Sequence, residues 1–259
     1  ACSFTNNTSA GSGGAFYIAN GAAATIETSA FAQNTSFGGC CGGWGGVIDG
    51  EGAGTTITVR ACTATGNSAA WGSFSHITTG TTLELVNSTL AGNTATTAGT
   101  LATPGGVYTL VNDTIVSNTN TTTDSAGLYE YSAPCHYTVS NTLVAFNTDS
   151  SGSQNNCNRR DLTTTITSLG GNLLGDTGGN CAAYFTGPGD RVNTDPLLDP
   201  AGLADNGGLD TTIALRLGSP AIGAGVAAQC PSTDERGYPR PAPSKPPTEA
   251  CDSGAFEMQ

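Results

Sequence analysis

The 259-residue sequence holds a single lysine, Lys245, one methionine and two histidines, and only 11% of its residues are charged. Eight basic residues stand against twenty acidic ones, for a net charge of −12. Affinity for phosphate backbones rests on clustered Lys and Arg, and without such a cluster nucleic acid is excluded as a partner. No apolar run is long enough to cross a bilayer, so no membrane insertion of this segment is expected, and no signal peptide is evident. The chain starts at Ala1 inside a repeat, and is expected to be a mature or trimmed product. Aromatic residues make up 7%, which with so few charges argues against an ordinary α/β enzyme.

Glycine is plentiful, with 37 residues, alongside abundant Thr, Asn and Ser. β-Branched residues punctuated by Gly and Asn favour short strands joined by turns. Residues 81–95, TTLELVNSTLAGNTA, give the unit: apolar Leu83 and Leu85, a corner near Asn87, a second strand through Leu90, and a turn at Gly92-Asn93. Alignment on the turn asparagine yields Asn7, Asn34, Asn67, Asn93, Asn118, Asn147 and Asn172, spaced 27, 33, 26, 25, 29 and 25 residues apart. Repeats of this length mark a solenoid.

The columns test the alignment. Phe4, Phe31, Ala64, Leu90, Ile115, Val144 and Leu169 share one position; Ile26, Val59, Leu85, Leu110 and Val139 a second; Ala24, Ile57, Leu83, Tyr108 and Tyr137 a third. Such apolar columns are the inward positions of stacked strands. A further strand precedes each unit, at residues 13–18, 45–48, 74–77 and 127–129. The fold expected is all-β, a right-handed single-stranded parallel β-helix of about seven rungs with three short strands each, roughly 34 Å long at ~4.8 Å per rung. The asparagines read as scaffold: Asn tolerates the left-handed corner conformation, and its amide can bond to the next rung.

From Cys157 the pattern changes. Residues 1–182 are read as the solenoid and 183–259 as a loop-rich cap packed on its end, stapled by disulfides Cys157–Cys181 and Cys230–Cys251. Nine cysteines point to an oxidising, extracellular setting and leave one unpaired. Cys2, Cys40, Cys41, Cys62 and Cys135 combine in several ways, with Cys40 or Cys41 to Cys62 the preferred pairing. Candidate glycosylation sequons are Asn87, Asn112 and Asn120, besides Asn6, Asn7 and Asn34 in or beside the turn ladder.

The candidates for chemistry are few. His76 and His136 stand alone, and no cysteine spacing makes a zinc site. Asp190, Asp195, Asp199 and Asp205 are the weak calcium candidates, without EF-hand or nonapeptide spacing; turn caps explain them better. Lyases need clustered carboxylates with a basic residue, and hydrolases need two carboxylates about 5–10 Å apart. Here the rung carboxylates Glu27, Glu84, Asp113 and Glu130 are scattered, and Arg60 reads as the ion-pair partner of Glu27. The one local cluster is Asp49 and Glu51 with Trp44, in a Gly-rich insertion. An outward column of Thr25, Thr58, Glu84, Thr109 and Thr138 raises ice binding, but Glu84 breaks it. No catalytic residue and no cofactor is assigned.

NTDPLLDP-AGLADNGG, LGSPAIGAG, CPSTDERGYPRP and CDSGAFE resemble, in order, the C-terminal blocks of choice-of-anchor Q bacterial surface proteins, which often bear a CSLREA segment. The rungs NSTLAGNTA and NDTIVSNTN resemble the GGA and FxxN repeats of chlamydial polymorphic membrane proteins. Between them the two resemblances span nearly the whole chain. They imply a secreted cell-surface β-helix, an adhesion or structural module with no assigned catalysis. Two departures stand out: the CSLREA segment is absent, which implies a chain cut from a longer precursor, and no sorting tail follows Gln259, so surface anchoring is not implied by this segment. Glycans or a host or neighbouring cell surface are the expected partners. The competing readings are a self-associating filament subunit, a polysaccharide lyase or hydrolase, and an ice-binding protein.

Overall fold

In the computed structural model, residues 1–38, 42–132, 135–159, 165–175, 181–246 and 249–259 are described. Parallel strands stack into a β-solenoid of about six turns, with no α-helix among the described residues. A full rung has four strands, as in Thr82–Val86, Thr89–Ala91, Thr94–Ala98 and Leu101–Thr103. The expected three become four because a left-handed residue, Gly92 in this rung (φ 70°), splits the run after Leu90.

Four sheets result. Sheet I runs from Cys2–Thr5 to Leu173–Leu174 in seven strands. Sheet II runs from Thr8–Ser9 to Thr119–Asn120 in five, sheet III from Phe16–Ala19 to Cys157–Arg159 in six, and sheet IV from Ala23–Glu27 to Thr165–Gly170 in six.

The inward columns pair in register as the repeat requires, except that Val144 meets Leu174 and not Leu169. A register shift after Val139, which sets Ser140 against Gly170, leaves Leu169 exposed on the outside. Inside, Phe4 stacks on Phe31 and Tyr108 on Tyr137, with centroids 5.3 and 5.0 Å apart. Phenols buried in an apolar core need partners, and Tyr108 finds Ser75 Oγ at 2.9 Å.

The asparagine ladder forms, with two differences. Each Nδ2 donates to the next Oδ1 at 2.8–2.9 Å through Asn7, Asn34, Asn67, Asn93, Asn118 and Asn147. Asn147 then donates to Asn156, not Asn172, because the chain after Asn147 loops back within a few residues. The left-handed conformation belongs to the residue before each rung asparagine: Asn6, Gln33, Gly66, Gly92, Ser117 and Phe146.

Asn172 belongs to a second ladder of mixed chemistry at the corner from sheet IV to sheet I. Backbone N–H groups there donate rung by rung to Ser88, Asp113, Thr142, Asn172 and Asp190. Asn93→Ala would strip buried Asn67 donors of their shared acceptor and leave Ala64 O without its Nδ2 donor. Unmade buried hydrogen bonds cost about 1–3 kcal/mol each, so a loss of about 2–4 kcal/mol is expected in urea unfolding.

The C-terminal region lies mainly along the side of the solenoid rather than over its end. At the end of the stack Ala182 and Phe185, after Cys181, meet the core, Cys157–Cys181 closes the last turn, and residues 187–194 pair with the last strand of sheet I, Arg191 bridging Leu173. The rest forms a strap on the outer face of sheet I, held internally by Cys230–Cys251. Sheet I demands this, because its later strands are apolar on both faces. Outward Ala91, Val116, Leu143, Ala145 and Leu173 are buried against strap residues that include Ile213, Leu215 and Ala221. The corner asparagines fasten it: Asn87 Nδ2 donates to Thr233 O, Asn112 Nδ2 to Asp252 O, and Asn141 Oδ1 accepts from Val226 N.

Candidate functional site

The strongest anomaly lies outside the core, at the corner from sheet II to sheet III. The corner is tight: a Cβ on Gly46 would sit 2.1 Å from Ser73 O on the next rung. Side chains just before and just after the corner therefore crowd onto one outer surface. Before it stand Trp44 and Trp71, bridged on successive rungs. After it, sheet III carries an outward column in register, Tyr17, Asp49, His76, Ala102 and Tyr129. Outward residues of a solenoid normally meet water, yet Asp49 and His76 are buried.

Asp49 Oδ1 pairs with His76 Nδ1 at 2.8 Å, and His76 Nε2 lies 3.3 Å from the Tyr131 hydroxyl. Trp44 stacks on the imidazole with centroids 6.2 Å apart, and Trp71 packs against Tyr131 at 4.3 Å. Ala98, Ala102 and Tyr129 lie beneath these rings as a small second core. Trp44, Trp71 and Tyr131 are half-buried. At the rim Tyr17 donates to Glu51 Oε2 at 2.8 Å. That hydrogen bond raises the Tyr17 phenol, with burial and the charges of Glu51 and Asp49 adding to it. Asp49 Oδ2 is buried without a hydrogen-bond partner among the described residues. The site thus offers a carboxylate–imidazole–phenol chain flanked by large, partly exposed rings.

Asp49 and Glu51, read from sequence as a glycine-rich loop, occupy the strand Ile48–Glu51. His76, read as standing alone, is the partner of Asp49, and Trp71 and Tyr131 drew no notice. A signal existed: Tyr17, Asp49 and His76 each follow a glycine, Gly13, Gly45 and Gly72, by four residues.

The other sequence candidates lie elsewhere. Asp195, Asp199 and Asp205 each accept a backbone N–H two residues on, and Asp190 ends the second ladder. They do not converge, and no group of three or more metal-binding side chains exists among the described residues. Asn87, Asn112 and Asn120 are buried with Nδ2 hydrogen-bonded to backbone carbonyls, so the folded protein presents none of the three for glycosylation.

Cys62 is not disulfide-bonded. It lies inside the solenoid with its thiol on Arg60 O, and burial pushes it up to about 12. Cys40 and Cys41 lie outside the described residues. Arg60 pairs with Glu84 at 2.7 Å rather than with Glu27; both side chains are exposed, and the pair contributes little. It also interrupts the outward threonine column of sheet IV. No known family model, curated protein or solved structure matches the chain.

Proposed function

We propose that this protein is a secreted, non-catalytic cell-surface module that recognises glycans through the ring patch at the corner of sheets II and III. The observation that carries the reading is the gathering of Trp44, Trp71 and Tyr131, half-buried, around a buried Asp49–His76 pair on the outer face of the solenoid. Flat rings held rigid by stacked strands suit the apolar faces of sugar rings, and aromatic anchors dominate many binding surfaces. The two C-terminal disulfides fit an oxidising compartment.

The test is binding to a glycan array, followed by titration of the best ligand against Trp44→Ala and Trp71→Ala. Each variant is expected to weaken binding about tenfold or more, the effect of losing ~1.4 kcal/mol or more. Thermal melts serve as the folding control, since Trp71 also covers Ala98 and Ala102. Saturable binding that survives both substitutions would place the ligand elsewhere.

A catalytic reading has one observation in its favour, the order carboxylate, imidazole, phenol in Asp49, His76 and Tyr131, which suits proton transfer. It predicts release of reducing or unsaturated ends from a polysaccharide panel, lost in His76→Ala. Such turnover would replace the binding reading.

A further inference from the structure

We propose that the glycan taken by the ring patch carries free ammonium groups, as an oligomer of unacetylated amino sugar does; this rests on the glycan-binding reading above. The argument is one of charge. Residues 1–132, which supply every residue of the patch, contain one arginine and no lysine. That arginine, Arg60, lies on sheet IV in its pair with Glu84. Arg159, next to Glu130 on sheet III, falls in the inward column that continues Ile77 and Thr103. Among the described residues, a uronate, sialate or sulfate on the patch would therefore meet no lysine or arginine; Arg160 lies outside them.

It would meet carboxylates instead. Glu51 stands at the rim beside Tyr17, and Asp49 stands at the floor beside His76. Asp49 spends one oxygen on the imidazole, and its Oδ2 is buried behind the rings with no hydrogen-bond partner among the described residues, an acceptor left open. Partly exposed indole and phenol faces attract cations in their own right, and ammonium recognition by aromatic groups is strongest where water is partly excluded. The net charge of −12 adds long-range attraction for a polycation and repulsion for a polyanion. Rings and carboxylates thus select the same ligand, a sugar face for stacking with a cationic amine at its edge.

The experiment is calorimetric titration of the whole protein with a glucosamine oligomer and with the fully N-acetylated oligomer of equal length. It is run in mildly acidic buffer at low and high salt. The glucosamine oligomer is expected to bind about tenfold tighter, the scale of one cation–π or charge contact. The margin should narrow at high salt as screening sets in. Glu51→Gln should narrow it as well. Equal affinity, or preference for the acetylated oligomer, overturns the amino-sugar inference and leaves the glycan reading standing. If neither oligomer binds and no arrayed glycan binds, both readings are overturned.

Discussion

Replacing Arg240 with alanine is expected to destabilise the protein by about 3–5 kcal/mol, the usual cost of removing one partner from a fully buried ion pair. Its guanidinium donates to Glu257 Oε2 and Asp252 O at 2.9 Å and to Gly254 O at 2.7 Å. Lys245 reaches both Asp252 and Glu257 from the other side. Without Arg240, two wholly buried carboxylates share one ammonium and two backbone carbonyls each lose a donor. The strap should then loosen from sheet I and uncover Val116, Leu143 and Leu173. Urea unfolding monitored with limited proteolysis of residues 190–259 reads both effects. A loss below about 1 kcal/mol would mean that the network does not hold the strap.

Glu235→Gln is expected to stabilise the protein at neutral pH, against the usual direction of mutations. The Glu235 carboxyl is buried between strap and sheet I, 2.9 Å from Thr63 Oγ1 and 2.5 Å from Thr89 Oγ1. Thr63 has one hydroxyl hydrogen, and it also lies 2.7 Å from Thr211 O, a carbonyl that can only accept. Both contacts are satisfied when Glu235 is protonated and donates to Thr63. Burial, offset in part by the threonines and reinforced by Asp113, raises its pKa well above the ordinary value.

A raised acid pKa contributes stability that is fully present below the unfolded value, about 4.3, and is lost as pH climbs through the folded value. Gln offers the same donor and acceptor without titrating. Wild type and variant should therefore match near pH 4. Above that the variant should gain, by at most about 1.4 kcal/mol per pH unit. The thermal midpoint against pH is the measurement; a variant less stable than wild type at pH 7–8 would show that an ionised Glu235 holds the strap.

The repeat was legible because one residue type does one task on every rung. Asn93 and its equivalents stand out since a single amide serves both neighbours, and the Leu83, Leu85 and Leu90 columns alternate as inward strand positions must. Legibility failed where different residue types share a task. The second ladder passes through Ser88, Asp113, Thr142, Asn172 and Asp190, so the letter changes at every rung, and Asn172 falls into the wrong column when the sequence alone is aligned. The strap's position was hidden as well, although Leu143, Val144 and Ala145 in succession mark a strand covered on both faces. The site was harder still. Asp49, His76 and Tyr131 come from separate rungs, and only the register of sheet III sets them together.

Both tryptophans of the chain, Trp44 and Trp71, lie in the ring patch, so intrinsic fluorescence reports on that patch alone. The most direct test of the account is therefore a tryptophan fluorescence titration of the native protein with the glycan that binds best. A saturable change in intensity or wavelength, with the midpoint found by calorimetry, is the predicted result. Calorimetric binding that leaves both tryptophans silent would contradict it.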